Sequence, residues 1–356
     1  SYGRFMTTVT YPYDEQTQSW TSTSSYPNTK LKPERTKSWE VGLDARILND
    51  ISLNLTYYRS NTYNQTFYAD LSLSSGYSNI PIQSGNIMNE GLEMSLGYNK
   101  QWKDFSFNTN YTLTWNKNRV KRLADGVYNY ATGQPIQMPE LSPLTYGHTD
   151  ARLILRVGGS MGDVYGQRLL KRDLNGYILN EEGVGLAMEN KETYLGSILP
   201  KMNMGWSLGF GYKGVNLGMT FTGRFGGIVI SETQSVLDAA GVSKVSADVR
   251  DAGGVQINQS KVSAQTYYQT IQGTAAYYTY SATNVRLGEL SLSYTLPKKW
   301  FDNKVGMTVG LVGKNLWMIY CKAPFDPELT TSAASNFYQG FDAYMLPSTR
   351  NFGFNV

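Results

Sequence analysis

Residues 205–227, which read GWSLGFGYKGVNLGMTFTGRFGG, restrict the folds open to this chain more than any other segment. On both sides of Lys213 and Gly214, bulky apolar residues alternate with small or polar ones. A period of two on either side of a tight turn predicts a β-hairpin. Each arm has about 8 to 11 residues, which at about 3.3 Å per residue and a tilt of about 45° can cross the hydrocarbon layer of a bilayer. The hairpin alone fits a soluble sheet equally well.

The same alternation recurs along the chain and predicts about ten strands. Besides the two arms of the hairpin and a strand tail within residues 1–10, the predicted strands are 39–48, 51–57, 87–98, 105–115, 285–296, 305–311 and 351–356. The step from Leu287 to Leu290 interrupts the period of two, so we expect a β-bulge at Gly288 or Glu289.

Charged residues on one face of these strands favour a water-filled interior. Glu40, Asp44 and Arg46 share one face of residues 39–48, and Glu93 lies on the polar face of residues 87–98. Charges are rarely buried in a soluble core, but they can face the lumen of a membrane barrel. We expect them to contact a plug domain or to form salt bridges in the lumen.

Short and long connections alternate strictly between the predicted strands. The short ones are 49–50, 99–104, 213–214 and 297–304, and the long ones are 11–37, 61–86, 118–203, 226–283 and 316–347. In an up-and-down sheet this order puts every long connection at one end, as in outer-membrane barrels with short periplasmic turns and long extracellular loops. Residues 151–157 then belong to a small hairpin inside the loop 118–203, and the C-terminus is periplasmic.

Tryptophan positions support a membrane barrel. Six of the seven lie where predicted strands meet connections, namely Trp39, Trp102, Trp115, Trp206, Trp300 and Trp317, while Trp20 lies in a loop. Aromatic residues at strand ends are typical of a transmembrane barrel, whereas a soluble sandwich would place tryptophan in mid-core. The sequence therefore predicts an all-β, transmembrane, antiparallel up-and-down β-barrel.

Composition and motifs exclude other classes of protein. No apolar run approaches 18 residues, which excludes a transmembrane helix, and the net charge of +4 is too dispersed to predict a nucleic-acid partner. His148 is the only histidine, residues 173–178 (DLNGYI) fail the EF-hand pattern, and residues 158–162 (GGSMG) lack the Lys-Ser/Thr of a phosphate loop. We expect no enzyme activity, no catalytic residues, no metal site and no cofactor.

Several segments, in order along nearly the whole chain, resemble SusC-type TonB-dependent transporters. They are residues 31–44 (LKPERTKSWEVGLD), 85–93 (GNIMNEGLE), 158–166 (GGSMGDVYG), 212–214 (YKG), 223–227 (GRFGG), 285–297 (VRLGELSLSYTLP), 314–316 (KNL) and 326–328 (DPE). The resemblance implies that residues 1–356 are the C-terminal part of a barrel of about 22 strands. A plug domain and a TonB box would then belong to the N-terminal part of a longer protein, and the last strand lacks the terminal aromatic residue customary in the family.

The resemblance also implies partners and a function. The expected function is nutrient import across the outer membrane of a Gram-negative bacterium, with a SusD-like surface lipoprotein and with energy from TonB acting on the plug. Oligosaccharide is the expected cargo and oligopeptide the alternative. A dimer of transporter–lipoprotein pairs is compatible with this expectation.

Loop tyrosines are the candidate substrate-binding residues, because aromatic faces near polar groups suit stacking against sugar rings or holding a peptide. They are Tyr63, Tyr68, Tyr128, Tyr130, Tyr267, Tyr268, Tyr277 and Tyr278. The alternative is that they pack the loops against one another or against a partner. From another class of protein, a secreted all-β glycan-binding or adhesion module stays open, as does a passive porin, although such long loops would obstruct free diffusion.

Overall fold

Nine antiparallel strands form one sheet in the computed structural model, which describes residues 13–14, 19–20, 32–70, 79–123, 140–181, 185–329, 331 and 336–356. In chain order the strands are β1 (Arg35–Ile47), β2 (Ile51–Asp70), β3 (Asn79–Trp102), β4 (Phe105–Arg122), β5 (Met202–Tyr212), β6 (Val215–Phe225), β7 (Asn284–Thr295), β8 (Thr308–Cys321) and β9 (Asn351–Asn355). Each strand pairs with its neighbours in sequence, so the up-and-down topology is confirmed. Among the described residues the sheet is open, since β1 and β9 are its edges. The strand expected within residues 1–10 lies outside the described residues.

The predicted placement of the short connections at one end of the sheet is confirmed. They join β1 to β2, β3 to β4, β5 to β6 and β7 to β8, while the connections from β4 to β5, from β6 to β7 and from β8 to β9 are long and lie at the opposite end. The connection from β2 to β3 consists of residues 71–78 only, so the strict alternation in length does not hold there. In the tightest turn Lys213 has φ of 47° and Gly214 has φ of 90°, two positive values that match the twist of a β-hairpin. Which end of the sheet is extracellular stays a prediction.

The predicted bulge is also confirmed. Thr220 pairs with Glu289 and the next residue, Phe221, pairs with Leu287, which leaves Gly288 as the extra residue of β7. The register between β7 and β8 also shifts at this level, but there the extra residue belongs to β8, since Leu287 pairs with Trp317 and Glu289 pairs with Lys314. The bulge restores the alternation of faces after the break in the sequence pattern.

The predicted loop boundaries are wrong near the long connections. β2 continues to Asp70 and β3 begins at Asn79, so most of the expected loop 61–86 is strand, and β8 runs on to Cys321. Ladder hydrogen bonds to the neighbouring strand stabilise these extensions, whose sequences lack a regular alternation of hydrophobicity, and this is why the sequence pattern does not reveal them.

The long connections fold into a second layer, which we call the cap: the described residues of 123–201, 226–283 and 322–350. One cap sheet has four strands, Glu140–Thr145, Arg152–Arg156, Asp163–Leu170 and Met188–Ser197. The single hairpin expected within 118–203 is therefore wrong. The strands of this cap sheet are short, and bulges interrupt their alternation of apolar and polar residues. The sequence pattern therefore shows only one of the four strands clearly.

Helices and short strands complete the cap. The central strand of a three-stranded sheet, Ile228–Ser231, leads directly into α1 (Glu232–Ala239), which is followed by α2 (Lys244–Asp251) and α3 (Ala264–Ile271). Each helix begins after a serine that accepts a hydrogen bond from a backbone N–H of its first turn, namely Ser231, Ser243 and Ser263. None of these helices has the length and apolar character needed to span a membrane.

The main hydrophobic core of the described residues lies at the junction of sheet and cap. Phe67 of β2, Ile87 of β3 and Val120 of β4 pack in one cluster with cap residues such as Tyr146 and Leu155. A second cluster lies within the cap around Leu170, Tyr268 and Ile271. The extended ends of β2, β3 and β4 thus serve as the base on which the cap is built.

Candidate functional site

The two faces of the nine-stranded sheet differ sharply in chemistry. Across the strands, one row of paired residues is apolar: Leu53, Leu96, Tyr111, Trp206, Phe221, Leu287 and Trp317. A row on the opposite face is polar or charged: Thr56, Glu93, Thr114, Asn203, Arg224 and Asn284. Such a sheet separates an apolar medium from an aqueous one.

The apolar face is about as tall as a hydrocarbon layer. On β4 the apolar alternation runs from Phe105 to Trp115, about ten residue steps or about 34 Å along the strand, which is about 24 Å at a tilt of about 45°. Charges begin directly beyond it, where Trp39 pairs with Arg59, Arg59 with Glu90, and Glu90 with Lys117. Lys117 Nζ lies 3.8 Å from Glu90 Oε1.

Six tryptophans predicted to form an aromatic girdle all have exposed side chains. The predicted rim position of Trp206 is wrong, because β5 begins at Met202 and places this residue inside the strand. The indole Nε1 of Trp206 donates a 2.9 Å hydrogen bond to Thr109 Oγ1, so its polar atom is satisfied within the sheet. Trp20 has no described side chain.

The predicted lumen charges lie on the polar face. Glu40, Asp44, Arg46 and Glu93 form no ion pair with any described residue, so their contact with a plug domain stays a prediction. The upper part of the same face has a buried ion pair. Arg286 of β7 donates to both carboxylate oxygens of Asp326 at 2.7 and 2.9 Å, and both side chains are largely buried.

The Arg286–Asp326 pair connects the sheet to the segment that follows β8. Glu328 Oε2 lies 3.3 Å from Arg286, and Glu328 Oε1 accepts a hydrogen bond from Asn284. Burial by itself would raise the pKa of Asp326, but the hydrogen bonds from Arg286 and from the Glu328 N–H lower it below its ordinary value. Residues 326–328 therefore attach the segment after β8 to the sheet through charged side chains.

A cavity of about 450 Å³ with both polar and apolar walls lies at the junction, between the upper end of β4 and the segments that lead into β5 and out of β6. Asn116, Asn118, Asp163, Tyr194 and Lys201 contribute its polar lining, and Leu199, Pro200 and Ile228 are among its apolar walls. Asn116 and Asn118 share the polar face of β4, and the Tyr58 hydroxyl donates to Asn116 Oδ1 at 3.2 Å. The cavity is therefore continuous with the polar face of the sheet.

Asp163 is the most unusual group of this cavity. Only 6% of the residue is exposed, and no Lys, Arg or His among the described residues pairs with its carboxylate. Oδ2 accepts from the Ser160 N–H at 2.8 Å and Oδ1 from the Tyr194 hydroxyl at 3.2 Å. Burial raises the pKa of Asp163 above its ordinary value, and burial together with the Asp163 charge raises the pKa of Tyr194 to about 12.

Local sequence explains how Asp163 reaches this position. It closes the turn of residues 158–163, in which Asn118 Oδ1 accepts from the Met161 N–H at 2.7 Å. Gly159 leaves room for the carboxylate, because a Cβ there would lie 2.6 Å from Asp163 Oδ2. In the sequence, residues 158–166 show only a family resemblance, and no pattern predicts Asp163 or Tyr194 as a site residue.

The structure separates the predicted tyrosines into distinct environments. Tyr63 and Tyr68 lie on β2 with exposed side chains, and Tyr128 and Tyr130 lie outside the described residues. Tyr268 and Tyr278 are buried in the second cap core, where Tyr267 and Tyr277 pack against them. The four cap residues thus pack the loops against one another, and cargo binding by the predicted tyrosines stays a prediction.

His148 and the turn at Asp173 have structural contacts. His148 Nδ1 lies 2.9 Å from Oε1 of the buried Glu232, at the start of α1. Asp173 Oδ1 accepts from the N–H groups of Asn175 and Tyr177 and so closes its own turn. Among the described residues there is no group of three or more metal-binding side chains.

This chain is similar in sequence to proteins of a known family. The family model described as TonB dependent receptor-like, beta-barrel, matches residues 1–316. TonB-dependent receptor P3 of Formosa agariphila is 25% identical over 92% of this chain and 34% of its own length. TonB-dependent receptor SusC of Bacteroides thetaiotaomicron is 28% identical over 33% of this chain and 12% of its own length.

Solved structures show the same fold. The RagAB peptide importer in the closed-closed state superimposes with a TM-score of 0.66 at 18% identity, over 96% of this chain and 37% of that chain. Its open-open state gives a TM-score of 0.65 at 19% identity, over 93% of this chain and 35% of that one. The chain thus spans about a third of the length of TonB-dependent receptor P3 and of the matched chain in the RagAB structures. The relatives are named receptors and not enzymes, which agrees with the prediction that the chain is not an enzyme.

Proposed function

We propose that this chain, which belongs to the TonB dependent receptor-like β-barrel family, forms part of the wall and the outer cap of an active nutrient importer in the outer membrane. The observation that carries the proposal is the pair of opposed faces on one nine-stranded sheet, apolar toward lipid and polar toward a lumen, with a folded cap at one end only. A wall of this kind needs closure by further strands, because β1 and β9 are unpaired edges of the sheet that the described residues form.

The proposed orientation puts the cap outside the cell and the short turns in the periplasm. We place the C-terminus on the periplasmic side and residues 1–356 at the C-terminal part of a barrel of about 22 strands. Energy would come from TonB acting on a plug domain elsewhere in the protein, which the polar face with Glu40, Asp44, Arg46 and Glu93 is suited to contact. A SusD-like lipoprotein would cover the cap, and two such pairs would form a dimer.

The proposed cargo is an oligosaccharide. Exposed tyrosines on β2 and a cavity that has hydrogen-bond donors, acceptors and apolar walls suit sugar hydroxyls and sugar ring faces. An oligopeptide is the second candidate, because the similar solved structures include one whose title names a peptide importer. A secreted sugar-binding module fits less well, since it would bury the tryptophans that this sheet exposes.

Two measurements test the proposal with the full-length protein. Heat-modifiable migration on a detergent gel is expected of a membrane barrel, and a protein that stays soluble and monomeric without detergent would contradict it. Growth of a deletion strain on separate oligosaccharides and peptides, with and without a functional TonB, is expected to show a TonB-dependent loss on one oligosaccharide class. A loss confined to peptides would select the second cargo.

A further inference from the structure

The cavity at the junction of sheet and cap carries an inference that rests on the proposed importer and specifies where its cargo is held. We propose that this cavity binds a neutral sugar ring of the cargo through Asp163, Asn116 and Tyr194. Its volume of about 450 Å³ lies within the range of about 300 to 1,000 Å³ found for small-ligand pockets.

Asp163 supplies the acceptors. Each of its carboxylate oxygens accepts one hydrogen bond from the protein, from the Ser160 N–H and from the Tyr194 hydroxyl. An ionised carboxylate offers about four acceptor positions, so about two are left for hydroxyl groups in the cavity. A buried carboxylate without a cationic partner is stabilised by every further donor, which gives a sugar hydroxyl a strong, charge-assisted partner.

Donors lie on other walls of the same cavity. The Asn116 side chain uses Oδ1 to accept from Tyr58, and its Nδ2 donates to no described residue. Lys201 lines the cavity, and its ammonium group forms no ion pair with a described residue. A sugar hydroxyl can donate to Asp163 and accept from one of these groups at the same time.

Tyr194 supplies a fixed aromatic surface. Its ring lies 5.2 Å from that of Tyr165, which in turn has the Arg156 guanidinium 4.4 Å from its centroid. Glu140 and Glu192 hold Arg156, and Asp163 holds the Tyr194 hydroxyl. More than half of Tyr194 is nevertheless exposed. Because this ring is already immobilised, stacking a ligand on it loses little side-chain entropy.

The mixture of charges favours a neutral ligand over an ammonium or an anion. Lys117 and Lys201 line the same cavity as Asp163, so an ammonium ligand would be repelled by two cations and an anion by the carboxylate. Leu199, Pro200 and Ile228 provide apolar contact for the C–H groups of a ring. A polyol ring with one apolar face satisfies all of these groups together.

Isothermal titration of the full-length transporter in detergent tests the assignment, with maltohexaose, mannohexaose, xylohexaose and tri-alanine as probes. Against the saccharide that binds, Asp163→Asn is expected to weaken Kd tenfold or more, since a charged hydrogen-bond partner is lost. Tyr194→Ala is expected to weaken it several-fold to about tenfold. Tyr194→Phe, which keeps the ring, is expected to stay within about threefold.

Asp248→Asn is the matched control, because Asp248 is an exposed carboxylate on α2 far in sequence from the cavity, and it is expected to change Kd less than twofold. Unchanged saccharide affinity in heat-modifiable Asp163→Asn and Tyr194→Ala proteins would overturn the sugar site while leaving import intact. Binding of tri-alanine alone, lost in Asp163→Asn, would replace the sugar by an ammonium ligand. If none of the saccharides binds, the assignment of the cavity as a sugar site is overturned. The growth experiment with and without TonB then tests the import function independently.

Discussion

The apolar face of the sheet and the core of the cap hold the same kinds of side chain in opposite surroundings. Leu311 on β8 is 65% exposed and Phe354 on β9 is 80% exposed, whereas Leu155 and Val164 of the cap are fully buried. Hydrophobicity alone therefore does not tell where a leucine lies. The cap is stabilised by removing apolar surface from water, whereas the sheet is held by ladder hydrogen bonds and meets lipid with its apolar side chains.

The largest expected effect lies where the two regions meet. Asp326→Ala removes the carboxylate that accepts two hydrogen bonds from the buried Arg286 and leaves the more exposed Glu328 as the acidic partner of Arg286, which is expected to cost about 3 to 5 kcal/mol. The loss should detach the segment after β8 while the sheet stays assembled. Protease digestion of the full-length variant in detergent is then expected to cleave the cap, while heat-modifiable migration shows that the barrel is still folded. Equal protection of the cap in variant and wild type would contradict the stabilising role of the Arg286–Asp326 pair.

The same pair predicts acid sensitivity. Because the folded-state pKa of Asp326 lies below its ordinary value of 3.8, the pair contributes stability above that value and loses it as pH falls through the folded pKa. Protease protection of the cap is expected to decline below about pH 4 in the wild type. Asp326→Ala should lack this contribution, so an identical acid transition in both proteins would assign it to other groups.

Matched leucine truncations test the difference between cap and sheet. Leu155→Ala is expected to cost about 2 to 5 kcal/mol, because a cavity remains in the cap core. Leu311→Ala on the exposed face leaves no cavity, since lipid or detergent fills the space, and should cost less than half as much. Urea unfolding followed by tryptophan fluorescence compares the two, and equal losses would show that both leucines pack against protein.

Charge substitution at mid-strand tests which face meets lipid. Leu217→Arg or Met219→Arg is expected to impair membrane assembly by about 2 to 4 kcal/mol, because both residues lie in the apolar rows of β6. Thr220→Arg is the matched control, since Thr220 lies on the polar face opposite Glu289. The measurement is the folded fraction after refolding into vesicles, and equal tolerance on both faces would mean that the sheet is inside out.

The sheet could be predicted from the sequence because a period of two, repeated in strand after strand, is a local signal. Even the bulge at Gly288 appears as a break in that period. The cap could not be predicted so well, because its strands are short and its core unites residues far apart in sequence. The pairs Asp163–Tyr194 and Arg286–Asp326 arise from tertiary contact, and no spacing within the motifs that contain Asp163, Arg286 and Asp326 reveals their partners.

The smallest expected effect concerns the helices of the cap. Ser231 begins α1, where its Oγ accepts from the Gln234 N–H at 2.9 Å and donates to Asp342 Oδ2 at 2.5 Å. Ser231→Ala should cost about 0.5 to 2 kcal/mol in cap stability, at the upper end because the buried Asp342 also loses a donor. Ser263→Ala, the exposed cap of α3, should lie at the lower end. Hydrogen exchange of α1 and α3 measures the loss of stability in each variant. A larger loss in Ser263→Ala than in Ser231→Ala would show that the buried hydrogen bond from Ser231 to Asp342 does not contribute to the stability of the cap.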